Sequence, residues 1–454
     1  MAKSGLYAGI DIGTNSIKVI VAEYVQGQMN IIGNGNAESD GLKNGIIVDI
    51  HKTAESILKA VNAAQEKAGV QIDTLNVGIP ANQLGITPCQ GLVQIAGANK
   101  EITDSDVVEV VSNALMQGLP PEREVISVET KEFVVDGFPQ ISDPRGMLGV
   151  RLEMKGILYT GPKTLIHNII SAIEQAGFKA GETVITPLIT GQQILNDQER
   201  EFGSIAIDMG AGQTTVAVMK DNELKYVNTR MEGGDYVTKD ISFGLNTSIT
   251  EAESIKQSYG EADIEQASPD EFFLVSTVGQ TEPAQVTEYY LTQIIRARIA
   301  QIFEKIKQDL ETNRQYPLPG GVVLYGGAAA LPGITTVAQQ IFESSVRLHV
   351  PTELGLRNPA YTQVISTVKY VSQRSDIEIL VTRAVLGDYV PTYHAPVAPQ
   401  LQTQVAHPSV ITSEYVAPVS DIAPVRSQAS SEVPEEKGPG IVDRARGWLT
   451  NMFD

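Results

Sequence analysis

Short apolar runs rich in β-branched residues alternate with amphipathic stretches of helical period from residue 1 to about 386. Alternating strand and helix signals of this kind are typical of an α/β protein, and not of a helical bundle or a β-sandwich. The composition agrees, because 42% of the residues are hydrophobic and 19% are charged, as in an ordinary globular chain. With 454 residues, the chain is expected to form about two to four packing units.

The alternating pattern ends abruptly after residue 386. Eight of the 23 prolines lie between Gly387 and Gly440, mixed with Ser, Thr, Gln and Ala. Such a segment buries too little apolar surface to fold, so residues 387–439 are predicted to be a disordered linker. A coil of this length has a root-mean-square reach of about 40 Å.

Apolar residues recur with helical spacing in the last segment, 440–454, and give a helix with one apolar face. Such a helix either packs on its own globular body or lies in a membrane interface. The long linker before it favours the interface, which suits Trp, Leu and Phe opposite Arg. The residues predicted to contact lipid are Ile441, Val442, Trp448, Leu449, Met452 and Phe453.

The charge and the cysteine content exclude several classes of function. A formal net charge of −20 argues against nucleic acid as the main partner, because phosphate backbones are bound by positive surfaces. The single cysteine, Cys89, excludes an internal disulfide and is expected in a core. No signal peptide, no apolar run of membrane-spanning length and no clustered histidines occur, so we expect a cytoplasmic protein without a transition-metal site.

Two segments of the chain resemble each other, Ile10-Asp-Ile-Gly-Thr-Asn-Ser-Ile-Lys-Val19 and Ile207-Asp-Met-Gly-Ala-Gly-Gln-Thr-Thr-Val216. In each, an aspartate ends an apolar strand, a glycine permits a tight turn, and small polar residues precede the next strand. Each is predicted to be a hairpin tip that offers N–H groups and hydroxyls to phosphate oxygens, while Asp11 and Asp208 hold hydrated Mg²⁺. The predicted phosphate-binding residues are Gly13, Thr14, Asn15, Ser16 and Lys18 in the first hairpin, and Gly210, Ala211, Gly212, Gln213, Thr214 and Thr215 in the second.

A third segment, Val322–Gly333, has the pattern of a buried strand that enters a Gly-Gly turn and then a helix. Gly326 and Gly327, followed by Ala328, would let a base or ribose approach the backbone closely. Neither the P-loop pattern nor the Rossmann glycine pattern is present. The three loops together predict a cleft between two related halves that binds a purine nucleotide, ATP with Mg²⁺.

These three loops, in this order, resemble the nucleotide-binding fold shared by actin, the heat-shock chaperone ATPases and sugar kinases. In that superfamily the hairpins grip the phosphates from two sides, and the Gly-Gly turn cradles adenosine. Further segments resemble one family within it, the bacterial cell-division protein FtsA, over residues 6 to about 386. These segments are Gly41–Asp49, Asp143–Met147, Gly149–Glu153, Gly233–Ile241, Ala252–Lys256 and Tyr259-Gly260.

The resemblance implies an α/β, actin-like (ribonuclease H-like) two-domain fold with a duplicated core, an inserted small α+β subdomain, a disordered C-terminal linker and a terminal amphipathic helix. In the insert, a helix capped at Thr103 is expected among strands near 91–97, 125–135 and 148–158. The implied division is 1–86 with 163–200 for the first core subdomain, 87–162 for the insert, 201–232 with 300–386 for the second core subdomain, 233–299 for a small lobe, 387–439 for the linker and 440–454 for the helix.

The resemblance also implies individual site residues. Glu253 and Lys256 would reach the ribose, near Gly233 and Gly234; the alternative for this pair is an ordinary i, i+3 surface contact. In the family, the small lobe receives the C-terminal peptide of FtsZ, the tubulin-like ring protein. Arg296 and Arg298 could pair with that acidic peptide, or they could only solvate a helix.

The function implied is that of an ATP-binding, filament-forming adaptor on the inner face of the cytoplasmic membrane at the division septum. It would bind FtsZ, anchor the ring through the terminal helix and help recruit other division proteins. A small-molecule kinase of the same superfamily, or a soluble chaperone-like or pilus-assembly ATPase, explains the loops equally well but not the linker and helix. Neither Gln192 nor Gln193 can be assigned to orient an attacking water, so weak or absent hydrolysis is expected.

Overall fold

The computed structural model of the chain describes residues 5–96, 99–116, 118–279 and 282–386. The predicted linker, 387–439, and the predicted lipid-contacting helix, 440–454, lie outside the described residues. Across the described ranges, no helix has both the length and the apolar character needed to cross a bilayer.

The first part of the chain builds an antiparallel meander followed by a helix and a parallel strand. The helix, residues 50–68, is capped at its N-terminus by Asp49, whose carboxylate accepts the backbone N–H of Lys52 at 3.1 Å. Gly69 caps its C-terminus in the left-handed region, at φ 67°. The elements are β1 Gly5–Ile12, β2 Ser16–Val25, β3 Gln28–Glu38, β4 Leu42–Lys43, β5 Ile46–Ile47, α1 Ile50–Ala68 and β6 Thr74–Ile79.

The inserted subdomain is a small sheet with one helix on its face. The predicted cap at Thr103 is confirmed: the Asp106 carboxylate accepts the backbone N–H of Thr103 at 2.8 Å and its hydroxyl at 2.6 Å. Gly91 allows the helix to approach the sheet, since a Cβ there would lie 1.9 Å from the Val110 carbonyl oxygen. The elements are β7 Gly85–Gln94, α2 Asp104–Leu115, β8 Arg123–Val135, β9 Phe138–Ile141 and β10 Arg151–Pro162, in the sheet order β7-β10-β8-β9.

The chain then returns to the first sheet and crosses into a second one. The strand β11 runs parallel to β6, and the following two helices lead into another antiparallel meander. The elements are α3 Lys163–Gln175, β11 Lys179–Ile185, α4 Thr186–Ile194, α5 Asp197–Phe202, β12 Ser204–Met209, β13 Thr214–Lys220 and β14 Glu223–Arg230.

A small lobe interrupts the second sheet, as the insert interrupts the first. It holds α6 Gly234–Leu245, α7 Ile249–Tyr259, β15 Phe272–Val275, β16 Ala284–Thr287 and the long helix α8 Glu288–Thr312. The sheet is then completed by β17 Val322–Tyr325, α9 Ile334–Phe342 and β18 Val346–Leu348, with 3-10 turns at Gly327–Ala330 and Pro359–Tyr361. The last described elements are α10 Thr362–Gln373 and α11 Asp376–Leu386.

The two central sheets have the same topology. Among the described strands, the first sheet has the order β3-β2-β1-β6-β11 and the second has β14-β13-β12-β17-β18. In both, a three-stranded meander is followed by two strands parallel to its first strand. The predicted α/β fold with a duplicated core and an inserted subdomain is confirmed.

The last two helices differ from the predicted division, which placed residues 300–386 in the second core subdomain. Helix α10 packs on the first sheet, where a Cβ on Gly9 of β1 would lie 2.5 Å from Val368. Helix α11 packs on the insert, with Leu380 and Val381 buried beside α2 and β8. Helical periodicity identifies the buried face of a helix, but it does not identify the neighbour that covers that face.

Candidate functional site

The two Asp-x-Gly segments form hairpins with the same turn. In the first, Asp11 pairs with Lys18 across the strands, and the Gly13 N–H donates to the Ser16 carbonyl at 3.2 Å. In the second, Asp208 pairs with Thr215 in the same register. There the Gly210 N–H donates to the Gln213 carbonyl at 3.0 Å. The predicted hairpin tips are therefore confirmed as local structures.

The tips of the two hairpins meet between the halves. A Cβ atom on Gly212 would lie 2.8 Å from the Oγ1 of Thr14, closer than real side-chain contacts allow. The Thr14 hydroxyl in turn accepts the backbone N–H of Gly45 at 2.9 Å, in the turn between β4 and β5. The first hairpin tip is thus held on one side by a turn of its own half and on the other by the second hairpin.

Gln213 adds a contact with Asn82 of the first half and packs against the turn at Gly45. Its Oε1 accepts a hydrogen bond from the Asn82 side chain at 3.2 Å. A Cβ on Gly45 would lie 2.4 Å from the same oxygen, so the absence of a side chain at residue 45 makes room for the amide. The second hairpin is therefore fixed to the first half by its polar side chain as well as by its backbone.

The structure brings nearly all of the predicted nucleotide-binding residues into one cleft between the halves. Both hairpins, the turn at Gly326, Gly327 and Ala328, and the pair Glu253 and Lys256 line it, and of the predicted residues only Thr214 and Gly233 do not. That these residues bind a nucleotide remains a prediction.

The two exceptions support the second hairpin from behind. The Thr214 side chain is buried, and its hydroxyl donates to the Glu232 carbonyl at 2.7 Å. Gly233 precedes α6, and a Cβ there would lie 2.4 Å from the Gly210 carbonyl oxygen. Both residues fix the position of the hairpin without facing the cleft.

The two aspartates have different surroundings. Lys18 approaches Asp11 with an Nζ to Oδ2 distance of 3.4 Å. Asp208 accepts a hydrogen bond from the side-chain amide of Gln363. Burial, together with repulsion from Asp11, raises the pKa of Asp208 to about 8, although Lys18 and Gln363 act in the opposite direction. A cation placed between the carboxylates would relieve this repulsion.

The Gly-Gly turn fits tightly around Asp208. Gly326 has φ 92°, a conformation that favours glycine. A Cβ at this residue would also lie 2.2 Å from the Oδ1 of Asp208. The strand β17 can enter the cleft beside the carboxylate only because residue 326 carries no side chain.

Glu253 and Lys256 are part of a hydrogen-bonded network on the cleft wall. The Lys256 ammonium lies 2.6 Å from Glu253, 2.8 Å from the Thr238 hydroxyl and 3.2 Å from the Gly234 carbonyl oxygen. Burial alone raises the pKa of Glu253, but the charge and hydrogen bond of Lys256, together with the bonds from Thr238 and Gln257, hold it below its ordinary value. The pair is therefore more constrained than an exposed i, i+3 contact.

The donor set of the cleft fits magnesium that arrives with a nucleotide. Within the described ranges, no group of three or more His, Cys, Asp and Glu side chains could hold a metal ion. Asp11 and Asp208 alone are too few for a protein-only site. Magnesium in nucleotide sites takes one or two carboxylates and completes its shell with phosphate oxygens and water, which is what the two aspartates would provide.

The arginines predicted to bind FtsZ lie on α8, and neither is among the residues that line the cleft. The Arg298 guanidinium donates to both carboxylate oxygens of Asp240, at 2.5 and 2.9 Å, and lies over the Tyr236 ring. The hydrogen bond with Asp240 raises the pKa of Arg298. Arg296 donates to the Gln340 side chain. Both arginines thus donate hydrogen bonds to side chains of this same chain.

Several residues around the cleft were not predicted. Gln363 and Asn82 had no local signal, because each acts on a hairpin far away in the sequence. Asp235 also lines the cleft, and its place directly after Gly233 and Gly234 could have revealed it. Gln192 and Gln193 are not among the residues that line the cleft.

Two family models match the chain. The model described as "SHS2 domain inserted in FTSA" matches residues 81–160, which correspond to the inserted subdomain. The model described as "Cell division protein FtsA" matches residues 205–366, which hold the second hairpin, the small lobe and the Gly-Gly turn.

Curated relatives match over most or all of the chain. The cell division protein FtsA of Enterococcus hirae is 48% identical over 454 residues, which is 100% of both chains. That of Enterococcus faecalis is 53% identical over 388 residues, or 86% of this chain and 88% of the relative. Among solved structures, the PilM-PilN type IV pilus biogenesis complex is similar with a TM-score of 0.55 and 13% identity, covering 81% of this chain and 99% of that one, a likeness of fold alone.

Proposed function

The chain belongs to the family of the cell division protein FtsA. We propose that it binds ATP with Mg²⁺, assembles into filaments on the cytoplasmic membrane and links that membrane to the FtsZ ring. Family membership gives no support to the small-molecule kinase or the pilus-assembly ATPase as alternatives.

The observation that supports nucleotide binding best is the contact of two equivalent hairpin tips, Thr14 and Gly212, beside a pair of carboxylates. In the proposed complex, the N–H groups and hydroxyls of both hairpins bind the phosphates. Asp11 and Asp208 hold Mg²⁺ mostly through water. Gly326 to Ala328 face the base, and Glu253 with Lys256 contacts the ribose.

Assembly follows from the position of this cleft. A nucleotide between the halves contacts both of them and therefore favours the arrangement in which they are closed. If filaments form from the closed arrangement, ATP promotes assembly. The nucleotide then acts mainly as a clasp that sets the shape of the subunit, in keeping with the expected weak or absent hydrolysis.

Attachment is proposed to depend on the helix at residues 440–454. Its charges nearly cancel, because Arg444 and Arg446 are accompanied by Asp443 and Asp454. Burial of the apolar face must therefore provide most of the affinity, and one short helix binds a bilayer weakly. A filament presents many such helices at once, so that avidity makes the attachment stable.

FtsZ binding is proposed for the small lobe at Arg296 and Arg298, through the acidic C-terminal peptide of FtsZ. The bonds of Arg298 to Asp240 and of Arg296 to Gln340 mean that the peptide has to share or displace these partners. At Arg298, a carboxylate of the peptide would then replace that of Asp240.

Vesicle co-sedimentation tests the membrane part of the proposal. The full chain and a chain ending at Gly440 are sedimented with vesicles of neutral and anionic lipid, with and without ATP and Mg²⁺. We expect the full chain to sediment with vesicles, more strongly with ATP, and the shortened chain to remain in solution. Trp448→Asp should abolish binding, whereas Asn451→Asp, the same charge change on the polar face, should reduce it only slightly. Unchanged binding of the shortened chain would refute the proposal.

A further inference from the structure

The two hairpins hold their aspartates by different means, although their backbones are equivalent. Opposite Asp11, the first hairpin carries Lys18, which pairs with it. Opposite Asp208, the second hairpin carries Thr215, whose hydroxyl is bonded to that of Thr229 at 3.2 Å. The second aspartate therefore has no cation from its own hairpin.

The hydrogen-bond donor for Asp208 comes from a different part of the chain. Among the described residues, the side-chain amide of Gln363 donates to the Oδ2 of this carboxylate, while its Oδ1 lies against the backbone of Gly326. Gln363 is the second residue of α10, and it also lines the cleft. The carboxylate is thus held on one side by a glycine turn and on the other by an amide.

The helix that carries Gln363 is attached to the opposite half of the molecule. Val364 and Val368 of α10 are buried with Tyr7 and Ile20 of the first sheet. Asp208 ends β12 of the second sheet. Gln363 therefore connects a helix packed on the first half to a carboxylate of the second half, beside the bond that the Gly326 N–H donates to the Pro359 carbonyl at 3.2 Å.

We propose that Gln363 is a positioning residue, which orients Asp208 for the magnesium ion of the bound nucleotide from a helix that packs on the other half. The inference rests on the proposed ATP binding. An amide suits this role because it donates a hydrogen bond without neutralising the carboxylate. A lysine at residue 363 would compete with the cation for Asp208, and a glutamate would repel the carboxylate.

The test compares nucleotide affinity with and without magnesium in the full chain. A fluorescent ATP analogue is titrated in Mg²⁺ and in EDTA, and the melting temperature of each variant is recorded. Because a hydrogen bond to a charged group is lost, Gln363→Ala should weaken binding about tenfold in Mg²⁺ and less than about twofold in EDTA. Gln363→Lys should bind almost equally in both. Gln373→Ala, at the exposed far end of the same helix, should behave as the wild type.

The outcomes separate this inference from the proposed function. If the wild type fails to bind the analogue, ATP binding itself is refuted. If the wild type binds and Gln363→Ala weakens binding equally in Mg²⁺ and EDTA, or not at all, the positioning role is refuted. If Gln363→Ala melts much earlier than the wild type, Gln363→Met replaces it in the comparison of affinities in Mg²⁺ and EDTA. Methionine nearly keeps the shape of the glutamine side chain but lacks the hydrogen-bond donor.

Discussion

Thr14 and Gly212, the tips of two equivalent hairpins, are in contact across the boundary between the two halves of the molecule. A Cβ on Gly212 would lie 2.8 Å from both Oγ1 and Cγ2 of Thr14, and 3.0 Å from the Cα of Asn44. The separation of the hairpins is therefore set by the absence of a side chain at residue 212. Any added atom there has to push the halves apart or move the turn before β5.

Gly212→Ala is expected to weaken ATP binding in Mg²⁺. The added methyl group forces a displacement that costs about 1–3 kcal/mol, as overpacking usually does, and the displacement is at the predicted phosphate site. Titration with a fluorescent ATP analogue measures the loss. Gly118→Ala is the matched control, because a Cβ at residue 118 meets no atom within 4 Å. Equal affinities of the two variants would contradict the expected contact.

Removal of Arg374 is expected to destabilise the fold strongly. Arg374 and Glu182 form an ion pair with both side chains largely buried, at 7% and 10% exposure. This pair joins the turn between α10 and α11 to β11. Arg374→Met leaves the carboxylate buried beside an apolar side chain, which typically costs about 3–5 kcal/mol.

Urea denaturation of Arg374→Met and of the double variant Glu182→Leu/Arg374→Met separates the two contributions. The double variant removes the unpaired charge, and it should therefore recover much of the lost free energy of unfolding. If both variants lost the same free energy, the cost would arise from packing or from the bond between Arg374 and the Glu378 carbonyl, and not from an unpaired carboxylate.

The FtsZ proposal predicts opposite effects for the two partners of one ion pair. Arg298→Ala should weaken binding of an acidic FtsZ C-terminal peptide about tenfold, because a charge-assisted bidentate contact is lost. Asp240→Asn should strengthen it severalfold, because the intramolecular competitor for Arg298 is weakened. Fluorescence anisotropy with a labelled peptide measures both. Weaker binding by Asp240→Asn would indicate that Asp240 orients the arginine and does not compete for it.

Cys89 is expected to react slowly with thiol reagents in the folded protein. Its side chain is buried in β7, and burial raises the thiol pKa from 9.0 to about 11. A rise of this size leaves roughly a hundredfold less thiolate at neutral pH. Between these two pKa values, the unfolded chain has lost a proton that the folded chain retains, so this group makes stability fall as pH rises through that window.

Labelling with a chromogenic disulfide at about pH 8 tests the Cys89 prediction. The rate should increase sharply in denaturant. A variant with Cys89→Ala and Lys59→Cys, which places the thiol at an exposed position of α1, should be labelled rapidly in both conditions. Fast labelling of folded wild-type protein would mean that the insert opens readily.

The features that the sequence predicted are those with a local origin. The hairpins were predictable because their glycines and aspartates lie within a few residues of each other, and the helix after Thr103 because its cap is adjacent to it. Successive side chains of a strand point to opposite faces. This rule could also have distinguished Thr214, which does not line the cleft, from Thr215, which does.

The features that the sequence did not predict depend on contacts between distant segments. Gln363 reaches Asp208 across 155 positions of the chain, and nothing in its neighbourhood distinguishes it from any other polar residue at the start of a helix. The positions of α10 and α11 were missed for the same reason. Their apolar faces fit any sheet, and the neighbour is selected by packing of the whole fold.

The packing of α11 on the insert determines how mechanical load enters the molecule. A force that pulls on the chain beyond residue 386 acts first on α11, and its buried residues Leu380 and Val381 pass that force to the insert. The path to the cleft continues through Arg374 and α10. If residues 440–454 attach the chain to a membrane as proposed, tension would therefore reach the insert through α11 before it reached the cleft.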